Sequence, residues 1–150
     1  MESLAISNSS SHLTDAPASG RLARIAPHAA RILLGLVFFV FGLDGFLHFF
    51  PMPTTPMPEK VVAFSSAMMG TGYLFQLIKG TEVLVGALLL SNRYVPLALA
   101  MLAPVMVNIV AFHAFLAPSG LGLPLVLLAL QLYLAWTRRA VYRPMLAARS

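Results

Sequence analysis

Four apolar runs decide most of what this chain can fold into: about 29–50, 72–90, 95–116 and 121–137. Each is close to the ~20 residues with which an α-helix crosses the hydrocarbon core of a bilayer. Composition closes the soluble alternative. Of 150 residues, 59% are hydrophobic and only 10% are charged, against about 25% charged in an ordinary soluble domain. In lipid each segment must satisfy its own backbone hydrogen bonds, so the runs are predicted to be helices. The expected fold class is all-α, a four-transmembrane-helix bundle forming a membrane domain over 27–146.

The segments between the runs fit that scheme. Residues 1–26 are rich in Ser, Asn and Ala and show no apolar period, which predicts a disordered tail. Glu2 and Asp15 and the lack of a short apolar core argue against a secretory signal there. Pro51 is expected to end the first helix. The proline-rich stretch 51–58 reads as an extended loop, followed by a short helix from Glu59 to Met69, placed at the outer interface as a lid or simply a packed loop helix. Ser91–Tyr94 makes a tight turn, Pro96 suits the first turn of the third run, and Pro104 predicts a kink in its middle. Residues 138–150 form a basic cytoplasmic tail on the membrane surface.

Orientation follows from the basic residues. Arg21, Arg24 and Arg31 precede the first run, Arg93 lies in the second turn, and Arg138, Arg139, Arg143 and Arg149 follow the last run. The first loop has only Lys60, beside Glu59. The positive-inside rule puts both termini in the cytoplasm of a bacterial cell, as a multi-pass inner-membrane protein. Because the basic residues flank apolar runs, the net charge of +5 is not a nucleic-acid signal. The absence of cysteine excludes disulfides, CxxC chemistry and thiolate metal sites.

Polar residues inside the runs are the functional signal. Lys79 and Glu82 put two full charges in the second run, where charge is kept only against a partner or a wet cavity. Asp44 and His48 mark the first run, Asn108 and His113 the third, and Gln131 the fourth. At ~1.5 Å per residue, Asp44, Lys79 and Asn108 all lie about 20 Å from the cytoplasmic side, with Gln76 and both histidines near 26 Å. A shared polar cavity in the outer half of the bundle is therefore expected, with Asp44, His48, Gln76, Lys79, Glu82, Asn108 and His113 as its candidate binding residues and Gln131 near the level of Glu82. Asn108 and His113 stand about 140° apart on their helix, so only one of them should face inward. Two histidines at one height would suit axial haem ligation, but no haem-attachment motif is present. A metal site from His48, His113, Asp44 and Glu82 has suitable ligand types and no further support, so none is assigned. Gly35 and Gly42 share a helix face that would suit close helix approach, including a homo-oligomer contact.

The stretches FGLDGFLHFFPMP, KGTEVLVGALLL and NRYVPLALAMLAPVMVNIVAFHAFLAP carry a resemblance. Over about Arg31–Leu146 the chain resembles the DoxX family of small bacterial four-helix membrane proteins, with its DoxD-like and MauE-like relatives. Arg93, Pro96, Pro104, Asn108 and His113 stand in the expected places, and Lys79-x-x-Glu82-x-x-x-Gly86 is similar to the family's second helix. Asp44 departs from it, since many relatives carry Asn there. The resemblance implies a redox-linked membrane subunit: members are associated with thiosulfate:quinone oxidoreductase and with membrane complexes that handle oxidative stress.

Three functions follow as expectations. In the first, the cavity binds a quinone-type headgroup or another small molecule and couples to a membrane or peripheral redox partner. His48, His113 and Glu82 would bond or exchange protons with the headgroup oxygens, and Lys79 would stabilise negative charge. In the second, the polar network is structural and the protein is a non-enzymatic scaffold or assembly factor. In the third, it moves a small solute or a proton. No catalytic residue is assigned.

Overall fold

The computed structural model describes residues 18–51 and 56–144, and every regular element among them is helical. The expectations for 1–17, 52–55 and 145–150 lie outside the described residues. The elements are α1 (Ala18–Leu47), α2 (Glu59–Gly70), α3 (Leu74–Leu90), α4 (Val95–Phe115), a 3₁₀ turn (Pro118–Gly120), α5 (Gly122–Thr137) and α6 (Arg139–Tyr142). Helices α1, α3, α4 and α5 pack in a ring, α1 on α3, α3 on α4, α4 on α5 and α5 back on α1. Leu34 and Phe38, Val85 and Leu89, Leu102 and Met106, and Leu127 and Leu134 point inward from the four helices to one core.

Two helices are long and apolar enough to cross a membrane, Ala23–Leu47 and Val95–Phe115. A third candidate is α2 joined to α3, bent by 91° at the break between them. Helix α5 is apolar but has only 16 residues. At ~1.5 Å per residue it is about 24 Å long, short of a ~30 Å hydrocarbon core.

Several boundaries differ from the sequence expectation. Helix α1 begins at Ala18 and runs through Pro27, so the expected tail is helical over 18–26. It ends at Leu47, before Pro51: the Asp44 carboxylate accepts the Phe50 backbone N–H at 2.8 Å, His48 adopts a left-handed φ of 50°, and the chain turns back. The Phe50 ring then lies 5.4 Å from that of Phe41. Helix α4 spans Val95–Phe115 with Pro104 inside it. Arg31 is not a free flanking cation. It is buried in the α1/α3 contact, where its guanidinium donates to the Leu89 carbonyl and, at 3.2 Å, to that of Leu90. Those are terminal carbonyls of α3, which lack partners within the helix and favour a cation.

The tightest contact is between α1 and α3, which run antiparallel, and glycine makes it tight. A side chain on Gly86 would meet the Phe39 backbone nitrogen at 2.5 Å, and one on Gly42 would meet that of Val83 at 2.8 Å. Gly35 faces Leu89 and Leu90 in the same seam. The Gly35/Gly42 face, expected to be open to a second copy, is thus filled from within the chain. Gly80, on the same helix as Gly86, has no neighbour at its Cβ position. Gly86→Ala should therefore cost roughly 1–3 kcal/mol of stability by overpacking. Gly80→Ala should gain roughly 0.5–1 kcal/mol from helix propensity. Thermal unfolding in detergent measures both, and equal shifts for the two would contradict the seam.

Candidate functional site

The seam between α1 and α3 delivers the charged pair. Gly45 lacks a side chain where the Lys79 stem lies: a Cβ there would sit 2.5 Å from Lys79 Cγ and 2.6 Å from Cδ. The stem runs across that gap and its ammonium reaches Glu82, one turn along α3. Lys79 Nζ donates to Glu82 Oε2 at 2.8 Å and to the Phe41 carbonyl at 3.4 Å. The Lys79 side chain is 22% exposed and that of Glu82 only 5%. Gly42 leaves room for Glu82 as Gly45 does for Lys79, with its Cβ position 3.0 Å from Glu82 Cβ.

Both side chains line a cavity of about 240 Å³ that opens on one side and is shared with His113 of α4. Its walls are apolar, from Phe38 and Phe41 of α1, Ile109 of α4, and Pro124 and Leu127 of α5. The cavity thus draws on all four helices of the ring, at the end where α1 and α4 finish and α3 and α5 begin. His113 Nδ1 lies 2.9 Å from the Ile109 carbonyl. A carbonyl only accepts, so Nδ1 is the donor in this contact. The cavity therefore presents an ammonium with one N–H beyond its two bonds, a carboxylate, and an imidazole. Such a set can hold and exchange protons with a compact polar group whose remainder is apolar.

The other expected residues lie elsewhere. Asp44 is half-buried at the rim, engaged by the Phe50 N–H. His48 and Gln76 are exposed and line a second hollow of about 410 Å³ with Gly45, Phe46, Met69 and Phe75. Asn108 is exposed on the outer face of α4, so His113 is the member of that pair that faces the cavity. Gln131 is buried, donates to the Leu99 carbonyl at 3.0 Å, and lines a third hollow away from Glu82. His48 and Gln76, matched in height, do share a hollow, but matching heights did not bring Asp44, Asn108 or Gln131 into the cavity, because height fixes depth and leaves the angle around each helix open. Among the described residues no group of three or more His, Asp or Glu side chains gathers as a metal site.

Helix α2 covers this end from outside. Val61 is buried, and the Phe64 ring lies 5.5 Å from that of Phe112, next to His113. Thr71 accepts the Leu74 N–H at 3.0 Å, which starts α3 directly after the bend. The contributions of Gly45, Phe41 and Pro124 were not anticipated. Only Gly45 left a trace in the sequence, as a small residue near the Gly35/Gly42 face. Compared with protein-family models, curated proteins and solved structures, the chain matches none.

The pair is predicted to behave as one unit. Glu82→Ala leaves the Lys79 ammonium against apolar walls and should cost roughly 3–5 kcal/mol, whereas Lys79→Met with Glu82→Gln removes both charges and should recover most of it. A double-mutant cycle on unfolding in detergent should give a coupling of roughly 1–3 kcal/mol. Additive single effects would mean that the two charges do not interact.

Proposed function

We propose that the chain is a DoxX-like integral protein of the bacterial inner membrane, crossing it four times with both termini in the cytoplasm. In this reading it is a redox-linked subunit that binds a quinone-type headgroup in the cavity between Lys79, Glu82 and His113. The observation that carries the reading is one cavity where an ion pair and an imidazole meet inside apolar walls. Its volume of about 240 Å³ falls below the ~300–1,000 Å³ of sites that enclose a drug-sized ligand. It fits a single ring with an apolar tail left outside, between helices.

The donor set fits such a group. The third N–H of Lys79 donates to a ring oxygen and stabilises negative charge on it. In the reduced, hydroxyl-bearing form a ring O–H would donate to His113, which as a base would take or return that proton. Glu82 fixes the ammonium in place and Gly45 admits the stem. A bound quinone would supply two-electron redox chemistry. The chain's own residues would orient it, screen it from water and handle its protons. Helix α2 sits where ligand entry would be controlled, and the partner would be a membrane or peripheral redox protein.

One structural feature favours a second reading. The Lys79–Glu82 pair is so closely fitted to Gly42 and Gly45 that it would lock α1 to α3 with no ligand at all, as in a scaffold or assembly factor. Ligand content separates the two. Organic extraction of protein purified in mild detergent should yield quinone, with Glu82→Gln and His113→Ala each lowering it severalfold while the helical circular-dichroism signal holds. Quinone-free wild-type protein from quinone-replete membranes would contradict the redox reading and leave the scaffold.

A further inference from the structure

The opposite end of the bundle carries a second built feature. Helix α6 folds back against the start of α4, where the Tyr142 hydroxyl donates to the Pro96 carbonyl at 2.7 Å. Burial pushes the Tyr142 phenol above its ordinary range against the opposing charge of Arg138, so it keeps its proton and this bond at neutral pH. Two apolar clefts result, of about 490 Å³ and 310 Å³, which share Ala100 and Tyr142. The larger has Leu99, Ala103, Leu132 and Trp136 on its walls and Arg139 and Arg143 at its edge. The smaller lies between Tyr94, Leu97 and Val141. Arg139 is already positioned: its guanidinium stands 5.1 Å from the centre of the Trp136 ring and donates to the Trp136 carbonyl at 3.2 Å.

Charge completes the description. No acidic residue follows Glu82 in the sequence. Glu82 is itself paired with Lys79, and Asp44 and Glu59 belong to the far end of the ring. Arg138, Arg139 and Arg143 therefore meet no carboxylate among the described residues. A paired apolar cleft with unneutralised guanidinium groups at its edge matches an amphiphile with two acyl chains and an anionic head.

We infer that the clefts around Tyr142 form a binding site for an anionic diacyl phospholipid, its chains against Trp136 and Leu97 and its phosphate on Arg139 and Arg143. The inference rests on the membrane reading but not on the quinone site. Basic residues at the cytoplasmic end of membrane helices are suited to this role, and Arg contacts phosphate through two parallel N–H groups. The depth of the clefts favours a lipid over a free phosphate, which would use the guanidinium groups alone.

Native mass spectrometry of the full chain from nanodiscs of equal phosphatidylglycerol and phosphatidylcholine tests it. Phosphatidylglycerol should be retained over phosphatidylcholine by roughly thirtyfold, the factor expected from two arginines at an anionic surface. Arg139→Gln with Arg143→Gln should bring the ratio near one. Arg21→Gln with Arg24→Gln, at exposed arginines of α1, should leave it unchanged. Trp136 is the single tryptophan, so wild-type protein gives a reading that needs no variant: phosphatidylglycerol brominated on its acyl chains should quench its fluorescence at lower mole fraction than brominated phosphatidylcholine. Equal retention, equal quenching, an equal loss from the α1 variant, or displacement of the lipid by millimolar inorganic phosphate would each overturn the assignment.

Discussion

The close approach of α1 to α3 is the constraint on which the rest of the molecule hangs. Gly86 lies on the Phe39 backbone and Gly42 on that of Val83, so the two helices meet at a distance no larger residue would permit. The buried ion pair follows from that spacing. Lys79 can lay its stem against α1 only because Gly45 is bare, and its ammonium then has both Glu82 and the Phe41 carbonyl within reach. At the other end of the seam Arg31 ties α1 to the last carbonyls of α3. One interface thus fixes register, pairs Lys79 with Glu82 and caps a helix end.

The remaining helices complete what the seam begins. Helix α4 brings His113, its ring held by the Ile109 carbonyl, and α5 brings Pro124 and Leu127 to the cavity wall. Helix α2 covers the same end through Phe64 and Phe112. The opposite end closes differently, with Tyr142 fastened to Pro96 and, among the described residues, no carboxylate paired with Arg138, Arg139 or Arg143. The molecule is therefore polar inside at one end and cationic outside at the other, with a largely apolar core between them in which Arg31 and Gln131 are held by backbone carbonyls.

Much of the fold was legible in the sequence because apolar run length and turn residues report helix position directly. The runs at 72–90, 95–116 and 121–137 became helices within a few residues of those bounds, and Lys79, Glu82 and His113 do share a cavity. What sequence could not supply was angle. Asn108 matched Lys79 in height yet faces outward, and Gln131 is turned to the Leu99 carbonyl. Arg31 read as a flanking cation, although its spacing from Leu34 and Phe38 places it on the buried stripe of α1. Asp44 read as a member of the shared cavity and instead stops the helix, a local competition between side chain and backbone that a periodic pattern does not reveal.

The central claim is that Lys79 turns back along α3 to Glu82 inside the α1/α3 seam. Solid-state dipolar-recoupling NMR tests it in a bilayer, with ¹⁵N at the lysine Nζ and ¹³C at the glutamate carboxyl carbon. The sequence has only Lys60 and Lys79, so a Lys60→Arg background leaves one nitrogen to observe. A strong coupling consistent with the 2.8 Å contact is expected, and it should disappear in Glu82→Gln labelled in the same way. A Lys79 nitrogen that shows no carboxylate coupling in the folded protein would contradict the account.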